Sequence, residues 1–268
     1  MKDTGRKTPP QHSDFEIANK LHSGYCIFLV LAMLYSMVPK TWLSGLHGAS
    51  AGLDILFAVM VFGFEIAYRS YQRKGEEIRR NILMDDSFGT RYFQLPAEGY
   101  YDNEGTESGV RKLLANIHQS AFYTSAISRE MLRPRRIITV IWLLSAVLML
   151  ALGRNDSPVS LGALKLLLSY VIVGQYLALK HVHTESEKVC KDATSAWIYR
   201  EEAGENDNFL SLALRTVMLY ETAIAESRVL LDTRIKNRLN RRLETSWHDL
   251  RTRYKMEAEQ QQNRQFPQ

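Results

Sequence analysis

The sequence predicts an all-α membrane protein with four transmembrane helices, arranged as two hairpins with a helical cytoplasmic insert between them and a helical C-terminal region after them. Three observations predict this fold. Four segments are almost free of charge, the linkers within each pair of segments are short, and Lys and Arg residues cluster outside the segments. The mean hydropathy of -0.22 and the 24% of charged residues would by themselves indicate a water-soluble protein, so the prediction depends on how the charges are distributed.

The four apolar segments are residues 21–38, 52–68, 137–152 and 159–179. A helix needs about 20 apolar residues to cross a bilayer, with a range of about 17–25. The third segment is short, but Arg135, Arg136 and Arg154 beside it can reach the headgroups and extend it. The alternative is four buried helices of a soluble bundle. Such helices keep a polar face, whereas the third segment has only Thr139 and Ser145 as polar residues.

Basic residues in the loops predict how the hairpins 21–68 and 137–179 are oriented. The linkers inside the hairpins carry only Lys40 and Arg154, whereas the insert 69–136 holds twelve Lys or Arg residues and the region 180–268 holds fifteen. We therefore expect a multi-pass protein of the bacterial inner membrane, with both termini and the insert in the cytoplasm. No cleavable signal peptide is evident in the polar segment 1–20, and the first apolar segment is expected to stay as a signal anchor.

Helical patterns continue outside the apolar segments. The second helix is expected to end at residues 87–89, a helix over 110–133 leads into the third segment with Pro134 at the junction, and residues 181–202 extend the fourth segment. A last helix is expected over 209–261, so that it lies mostly in a C-terminal region, 180–256, and extends into a polar tail, 257–268. Its apolar stripe could pack on the 110–133 helix or on another subunit. The stripe consists of Ile235, Leu239, Leu243, Trp247, Leu250 and Tyr254.

Polar side chains inside the apolar segments predict a pore lining. Lys165, Ser169, Gln175 and Tyr176 form a stripe in the fourth segment, and Glu65 lies in the second. Such a stripe can line a water-filled path between subunits, although hydrogen bonding within one bundle or extension of Lys165 to the headgroups would also explain it. A small transporter would use the same residues, but helices without a broken segment disfavour that function.

Arginines and aromatic residues between the second and third helices form a candidate ligand-binding site. It comprises Arg79, Arg80, Arg91, Tyr92 and Phe93. Guanidinium groups bind phosphates in a bidentate manner and aromatic rings stack on bases, so the combination suits a nucleotide. The alternative is attraction of arginines to anionic lipid together with ordinary packing.

Signatures of common hydrolases and transferases are missing, among them GxSxG, GxxxxGK[ST], HExxH and CxxC. We therefore expect a protein that is not an enzyme, with no catalytic residue, no cofactor and no metal. His181, His183 and Cys190 lack the spacing of metal ligands on one helix face. A basic run is interpreted as the solvated face of the last helix. It consists of Arg234, Lys236, Arg238, Arg241 and Arg242.

The order of hairpin, insert, hairpin and tail resembles the SMODS-associating 4TM effectors of CBASS, the bacterial cyclic-oligonucleotide antiphage systems. The resemblance is carried by MDDSFGTRYFQLP after the second helix, IHQSAFYTSAISREMLRPRR before the third, and RIKNRLNRRLETSWHDL in the last helix. It implies a homo-oligomeric, pore-forming membrane effector that a nucleotide second messenger gates during phage infection, and that breaches the inner membrane and stops growth. The expected partners are the lipid bilayer, a cyclic oligonucleotide and further copies of the chain, with no DNA.

A membrane-anchored helical scaffold that binds a protein partner is the alternative function. It is motivated by the apolar stripe of the last helix, which needs a surface against which to bury.

Overall fold

A computed structural model describes residues 10–36, 47–93, 101–152 and 159–256. Within these ranges the chain forms six helices and no strand: α1 (His12–Ser36), α2 (His47–Phe88), α3 (Val110–Leu152), α4 (Val159–Ala203), α5 (Asp207–Ser227) and α6 (Thr233–Arg253). The side chains at residues 33, 36, 47–51, 54, 145, 146, 148–152 and 159–171 are not described.

The prediction of four transmembrane helices was wrong. In the described ranges, none of the helices combines the length and the apolar character that crossing a membrane requires. The physical reason is that the apolar part of each long helix is short or interrupted. The third segment, 137–152, has only 16 residues against the roughly 20 that a span needs, and Asp54 and Glu65 interrupt the second. The predicted multi-pass placement in the bacterial inner membrane is corrected by the same finding.

The described helices belong to two compact units. Unit 1 comprises Met1–Pro10, Glu77–Arg133 and Ala178–Gln268, and unit 2 comprises Gln11–Glu76 and Pro134–Leu177. Helices α2, α3 and α4 therefore contribute residues to both units, whereas α5 and α6 lie entirely in unit 1.

Several helix ends agree with the sequence pattern. Helix α2 ends at Phe88, directly before Gly89, whose φ of 64° is a left-handed conformation that favours glycine. Helix α3 begins at Val110 and α4 ends at Ala203, as predicted. The predicted junction at Pro134 was wrong, because α3 continues through this residue. A proline removes one helical hydrogen bond, and here the turns on both sides of Pro134 remain helical.

The single helix predicted over 209–261 is two helices. Helix α5 is capped at its C-terminus by Arg228, whose φ of 49° and ψ of 36° take the chain out of the helix. Helix α6 begins after Asp232, whose carboxylate accepts hydrogen bonds from the backbone N–H groups of Arg234 and Ile235. The capping carboxylate therefore marks the start of α6, which ends at Arg253.

The core of unit 1 is formed by α3, α4, α5 and the apolar stripe of α6. Leu243 of α6 packs in one cluster with Ile127 and Met131 of α3 and with Leu179 of α4. Trp247, one turn further along α6, packs with Leu114 of α3. Of the two surfaces expected to bury the stripe, the 110–133 helix and another subunit, the structure shows contact with the 110–133 helix.

Unit 2 holds its helices together through aromatic contacts. The rings of Phe28 in α1 and Phe64 in α2 stack with centroids 5.3 Å apart, and Lys74 of α2 pairs with Asp14 of α1 at 3.0 Å.

Many large apolar side chains of unit 2 are more than half exposed. Large exposed apolar patches are typical of surfaces that contact another molecule. These side chains are Ile27, Leu34, Ile55, Leu56, Val59, Phe62, Ile66, Ile137, Ile141, Leu144, Val147 and Leu177.

Candidate functional site

A buried carboxylate holds the turn that follows α2. Asp85, which is 2% exposed, accepts hydrogen bonds from the hydroxyl of Thr90 at 2.7 Å and from the backbone N–H groups of Tyr92 at 3.1 Å and Phe93 at 3.0 Å. Hydrogen bonds to an ionised acceptor are stronger than neutral ones. The carboxylate therefore fixes the backbone of residues 90–93.

This turn presents two aromatic rings at the surface. Tyr92 is 82% exposed and Phe93 is 39% exposed, and their rings meet edge to face with centroids 5.0 Å apart. Arg91 precedes them and is exposed, as is Arg80 on α2. The structure thus brings together Arg91, Tyr92 and Phe93 of the five residues predicted to bind a ligand. An exposed ring on a fixed backbone is a stacking surface.

Arg79 has a different role from its sequence neighbours. Its guanidinium, 10% exposed, donates to both carboxylate oxygens of Glu221 at 2.9 and 2.7 Å. It also lies over the ring of Tyr220, 5.8 Å from the centroid, and the hydroxyl of Tyr220 lies 3.0 Å from that of Thr124. Arg79 therefore joins α2 to α5 inside unit 1. No sequence pattern connects Arg79 with Glu221, because the two residues are 142 positions apart.

A buried network of amides lies among α3, α6 and the loop that precedes α3. Asn103, which is fully buried, donates to the side-chain oxygens of Asn116 at 2.8 Å and Gln119 at 3.0 Å. Its own oxygen accepts the indole N–H of Trp247 at 3.2 Å. This network was not predicted from the sequence. Its signal would have been the polar residues on the apolar face of the 110–133 helix.

The network extends to the end of α2. Asn116 donates to Asp86 at 2.7 Å and to the hydroxyl of Ser87 at 3.1 Å, and Lys112 pairs with Asp86 at 3.1 Å. The backbone carbonyl of Ser87 accepts from the N–H of Gly109 at 2.7 Å. Fully bonded buried networks are rigid, so the base of the Arg91–Phe93 turn rests on a fixed part of unit 1.

A buried imidazole adjoins the network. His118 is 2% exposed, its Nδ1 has no hydrogen-bond partner among the described residues, and its ring meets the edge of Trp247 at 5.2 Å. Burial lowers the pKa of His118 from 6.5 to about 4, because the charged form is poorly solvated inside the protein. The ring is neutral at pH 7 and contributes packing.

A groove of about 540 Å³ runs between α4 and α5. One wall carries His181 and Glu185, and the other carries Arg215. His181 lies 3.5 Å from Glu226, which also lines the groove. The full lining is His181, Glu185, Ser211, Leu214, Arg215, Met218, Leu219, Thr222, Ala223 and Glu226.

Helix α5 contributes exposed apolar side chains to the lining of this groove, among them Leu214 and Met218. Leu214 is 43% exposed and Met218 is 69% exposed, and Leu210, one turn before them, is 40% exposed. Residues four apart lie on the same face of a helix, so the three form one exposed stripe. The opposite face of α5 is buried in the core through Phe209, Ala213 and other residues.

The residues predicted to line a pore are distributed over unit 2. Glu65 pairs with Arg69 one turn later, and Gln175 accepts a hydrogen bond from Arg135 at 2.9 Å. Tyr176 is half-buried. Lys165 and Ser169 lie in α4, among the residues whose side chains are not described. The pore lining stays a prediction.

The histidines of α4 point to different neighbours. His183 contacts the backbone carbonyl of Ser125 at 3.1 Å and the hydroxyl of Ser128 at 3.3 Å, both on α3, whereas His181 faces Glu226 of α5. Within the described part of the chain, no group of three or more His, Cys, Asp or Glu side chains is arranged to hold a metal.

Fold and surfaces together describe a helical protein whose unit 1 presents an aromatic turn and an apolar groove. No known protein family, curated protein or solved structure matches the chain. The resemblance to SMODS-associating 4TM effectors stays a prediction from the sequence.

Proposed function

We propose that the chain is a helical scaffold that binds an amphipathic helix of a protein partner in the groove between α4 and α5. The observation that carries this proposal is the exposed apolar stripe of α5, which runs through Leu214 and Met218 along a groove of about 540 Å³. The proposal keeps the scaffold function predicted as an alternative, and moves the binding surface from α6, whose stripe is buried, to α5.

The spacing of the stripe suits a helical occupant. Leu210, Leu214 and Met218 repeat every four residues, so their side chains follow the axis of α5. An amphipathic helix laid in such a groove buries its own stripe of apolar residues against them. Methionine adapts to different partner side chains because it is unbranched and polarizable, and Met218 is the most exposed residue of the stripe.

The charges of the rim select among such helices. Arg215 makes no ion pair with any described residue, whereas Glu185 lies near Lys188 at 3.8 Å and Glu226 near His181 at 3.5 Å. The available rim cation therefore favours an occupant helix with a carboxylate beside its apolar stripe. Complementary charges at a rim determine specificity and association rate more than affinity.

Binding of designed helices tests this proposal. The probes are two fluorescein-labelled amphipathic peptides with the same apolar stripe, one flanked by Glu and one by Lys. In fluorescence anisotropy we expect the Glu peptide to bind more tightly. We expect Arg215→Glu to reverse the preference, because it replaces this cation by a carboxylate.

Two further variants locate the binding surface. Leu214→Asp combined with Met218→Asp should weaken binding of the Glu peptide at least tenfold, whereas Ile198→Asp, at a 43% exposed apolar residue of α4 outside the groove lining, should leave it unchanged. Equal binding by the double variant, or equal loss in the Ile198→Asp control, would refute the groove as the binding surface.

We also propose a second function from a separate observation, the exposed ring of Tyr92 on a backbone that Asp85 holds. A nucleotide second messenger would stack on Tyr92 and place its phosphates near Arg91. Isothermal titration with cyclic dinucleotides and trinucleotides tests it. We expect Tyr92→Ala to abolish binding and Tyr71→Ala, at another exposed tyrosine, to preserve it. No heat of binding for any of these nucleotides in the unmodified protein would reject the idea.

Pore formation and antiphage defence, which the family resemblance implies, stay predictions.

A further inference from the structure

The outer face of α6 carries a row of arginines. Arg234, Arg238 and Arg241 are four and three residues apart, so they share one side of the helix, and Arg242 lies beside them. All four are exposed, as the interpretation of this run as a solvated face required. The buried side of α6 is formed by Leu243 and Trp247, so the arginine row points away from the core.

The row is largely uncompensated within the chain. Arg238 lies 3.6 Å from Glu130, but Arg234, Arg241 and Arg242 make no ion pair and no side-chain hydrogen bond with any described residue. A carboxylate three or four residues from a basic residue would stabilise the helix by pairing with it. Within the row, Arg234, Arg238 and Arg241 follow one another at this spacing, and the only carboxylate at it is Glu244, three residues after Arg241.

Like charges also lie close together along the row. The N-terminus of α6 already has a carboxylate, because Asp232 is the N-cap residue. Like charges three or four residues apart on a helix repel each other. An external anion lying along the row would relieve this repulsion.

We propose that this arginine row, formed by Arg234, Arg238, Arg241 and Arg242, binds the phosphate backbone of a nucleic acid. Guanidinium groups contact phosphate oxygens in a bidentate manner. A nucleic-acid strand supplies one negative charge about every 3.4 Å, and the row from Arg234 to Arg242 rises by about 12 Å along the helix. A strand that lies along the row therefore places several phosphates within its length. The stretch 234–242 contains no aromatic residue, so the expected contacts are to the backbone and carry no base specificity. This proposal departs from the prediction that DNA is not a partner.

Salt-dependent binding tests the proposal on the full chain. The probes are a fluorescein-labelled 20-nucleotide RNA and a DNA duplex of the same length. Because about 0.7–0.9 counterions are released per phosphate neutralised, four arginines should give a log–log salt slope of about -3. Combined replacement Arg234→Gln, Arg238→Gln and Arg241→Gln should reduce the slope to about -1 and weaken binding more than tenfold at low salt.

Two variants serve as controls. Replacement of the same three residues by Lys preserves charge and should retain most of the salt slope. Replacement Lys180→Gln, Lys188→Gln and Lys191→Gln removes three exposed cations of α4 and should leave binding unchanged. Circular dichroism verifies that each variant remains helical.

Competing anions distinguish the sources of negative charge. Polyglutamate and vesicles containing phosphatidylglycerol should compete weakly with the RNA at equal charge concentration. The proposal is overturned if neither nucleic acid binds at low salt, if the Gln variant binds as the unmodified protein does, or if either competitor binds to the arginine row more tightly than the nucleic acids.

Discussion

The indole N–H of Trp247 donates to the side-chain oxygen of Asn103 at 3.2 Å, and both residues are at most 1% exposed. The two residues are 144 positions apart. Through Asn116 and Gln119, the same asparagine is joined to α3. The packing of α6 within unit 1 therefore depends on this hydrogen bond as well as on apolar contacts.

Trp247→Phe tests this contact, because it removes the N–H donor and keeps an aromatic ring. We expect the free energy of unfolding to fall by about 1–3 kcal/mol, since the oxygen of Asn103 is left buried without this donor. Trp197→Phe is the matched control. Trp197 is equally buried but its Nε1 has no hydrogen-bond partner among the described residues, so only packing is lost. Urea denaturation measures both; an equal loss in the two variants would contradict the role of the hydrogen bond.

Breaking the ion pair of Arg79 and Glu221 from either side should be strongly destabilising. Both side chains are at most 20% exposed, so Arg79→Met leaves a poorly solvated carboxylate, and Glu221→Met leaves a poorly solvated guanidinium. We expect each to lower the free energy of unfolding by about 3 kcal/mol. The double variant Arg79→Met, Glu221→Met should lose much less than the sum of the single variants, because no charge remains unpaired.

An exposed pair provides the comparison for this cycle. Lys188→Met breaks a contact of 3.8 Å with Glu185 in which the lysine is 52% exposed, and it should have a small effect. Additive losses in the Arg79–Glu221 cycle would show that the two side chains do not interact.

His118 predicts a pH dependence of stability. Its folded pKa, about 4, lies below the ordinary histidine value of 6.5, so the unfolded chain binds more protons between these two values. Stability should therefore be fully present above pH 6.5 and should be lost as the pH falls towards 4. His118→Gln should reduce the slope of the free energy of unfolding in this window by up to about 1.4 kcal/mol per pH unit. His248→Gln, at an exposed histidine, is the control, and an unchanged slope in His118→Gln would contradict the assignment.

Replacement by alanine should change the stability differently at two glycines of unit 2. A Cβ at Gly63, inside α2, would meet no atom within 4 Å, so Gly63→Ala should stabilise the protein by about 0.5–1 kcal/mol through helix propensity. A Cβ at Gly24 would lie 2.8 Å from the ring of Phe64. The ring would have to move, so Gly24→Ala should give no gain. Thermal denaturation distinguishes the two, and a gain in both variants would mean that Phe64 yields freely.

The helical architecture of unit 1 could largely be predicted from local patterns. The start of α3 at Val110, the ends of α2 and α4 and the packing of the Leu243–Trp247 stripe on α3 follow from glycine positions and from apolar spacing. The break between α5 and α6 was missed, because no glycine or proline occurs between Ser227 and Thr233. Arg228 adopts a left-handed conformation there that its residue type does not favour.

The membrane prediction was wrong because it extended short apolar runs to the length of a full span. It counted flanking arginines as part of the span and accepted interior polar residues such as Glu65 and Gln175. In the described chain these two side chains have partners, Arg69 and Arg135, in unit 2. Of the candidate ligand site, Arg91, Tyr92 and Phe93 lie in an exposed turn and their binding of a ligand stays a prediction, whereas the buried ion pair of Arg79 was not predicted.

The sequence by itself determined which segments are helical and which face of α6 is apolar, because both depend on residues at most four positions apart. Only the tertiary structure decided that Arg79 forms an ion pair with Glu221, that Asn103 accepts a hydrogen bond from Trp247, and that α4 and α5 enclose a groove. Those relationships join residues far apart in the chain, and they arise because buried polar groups must find partners wherever the packed helices place them.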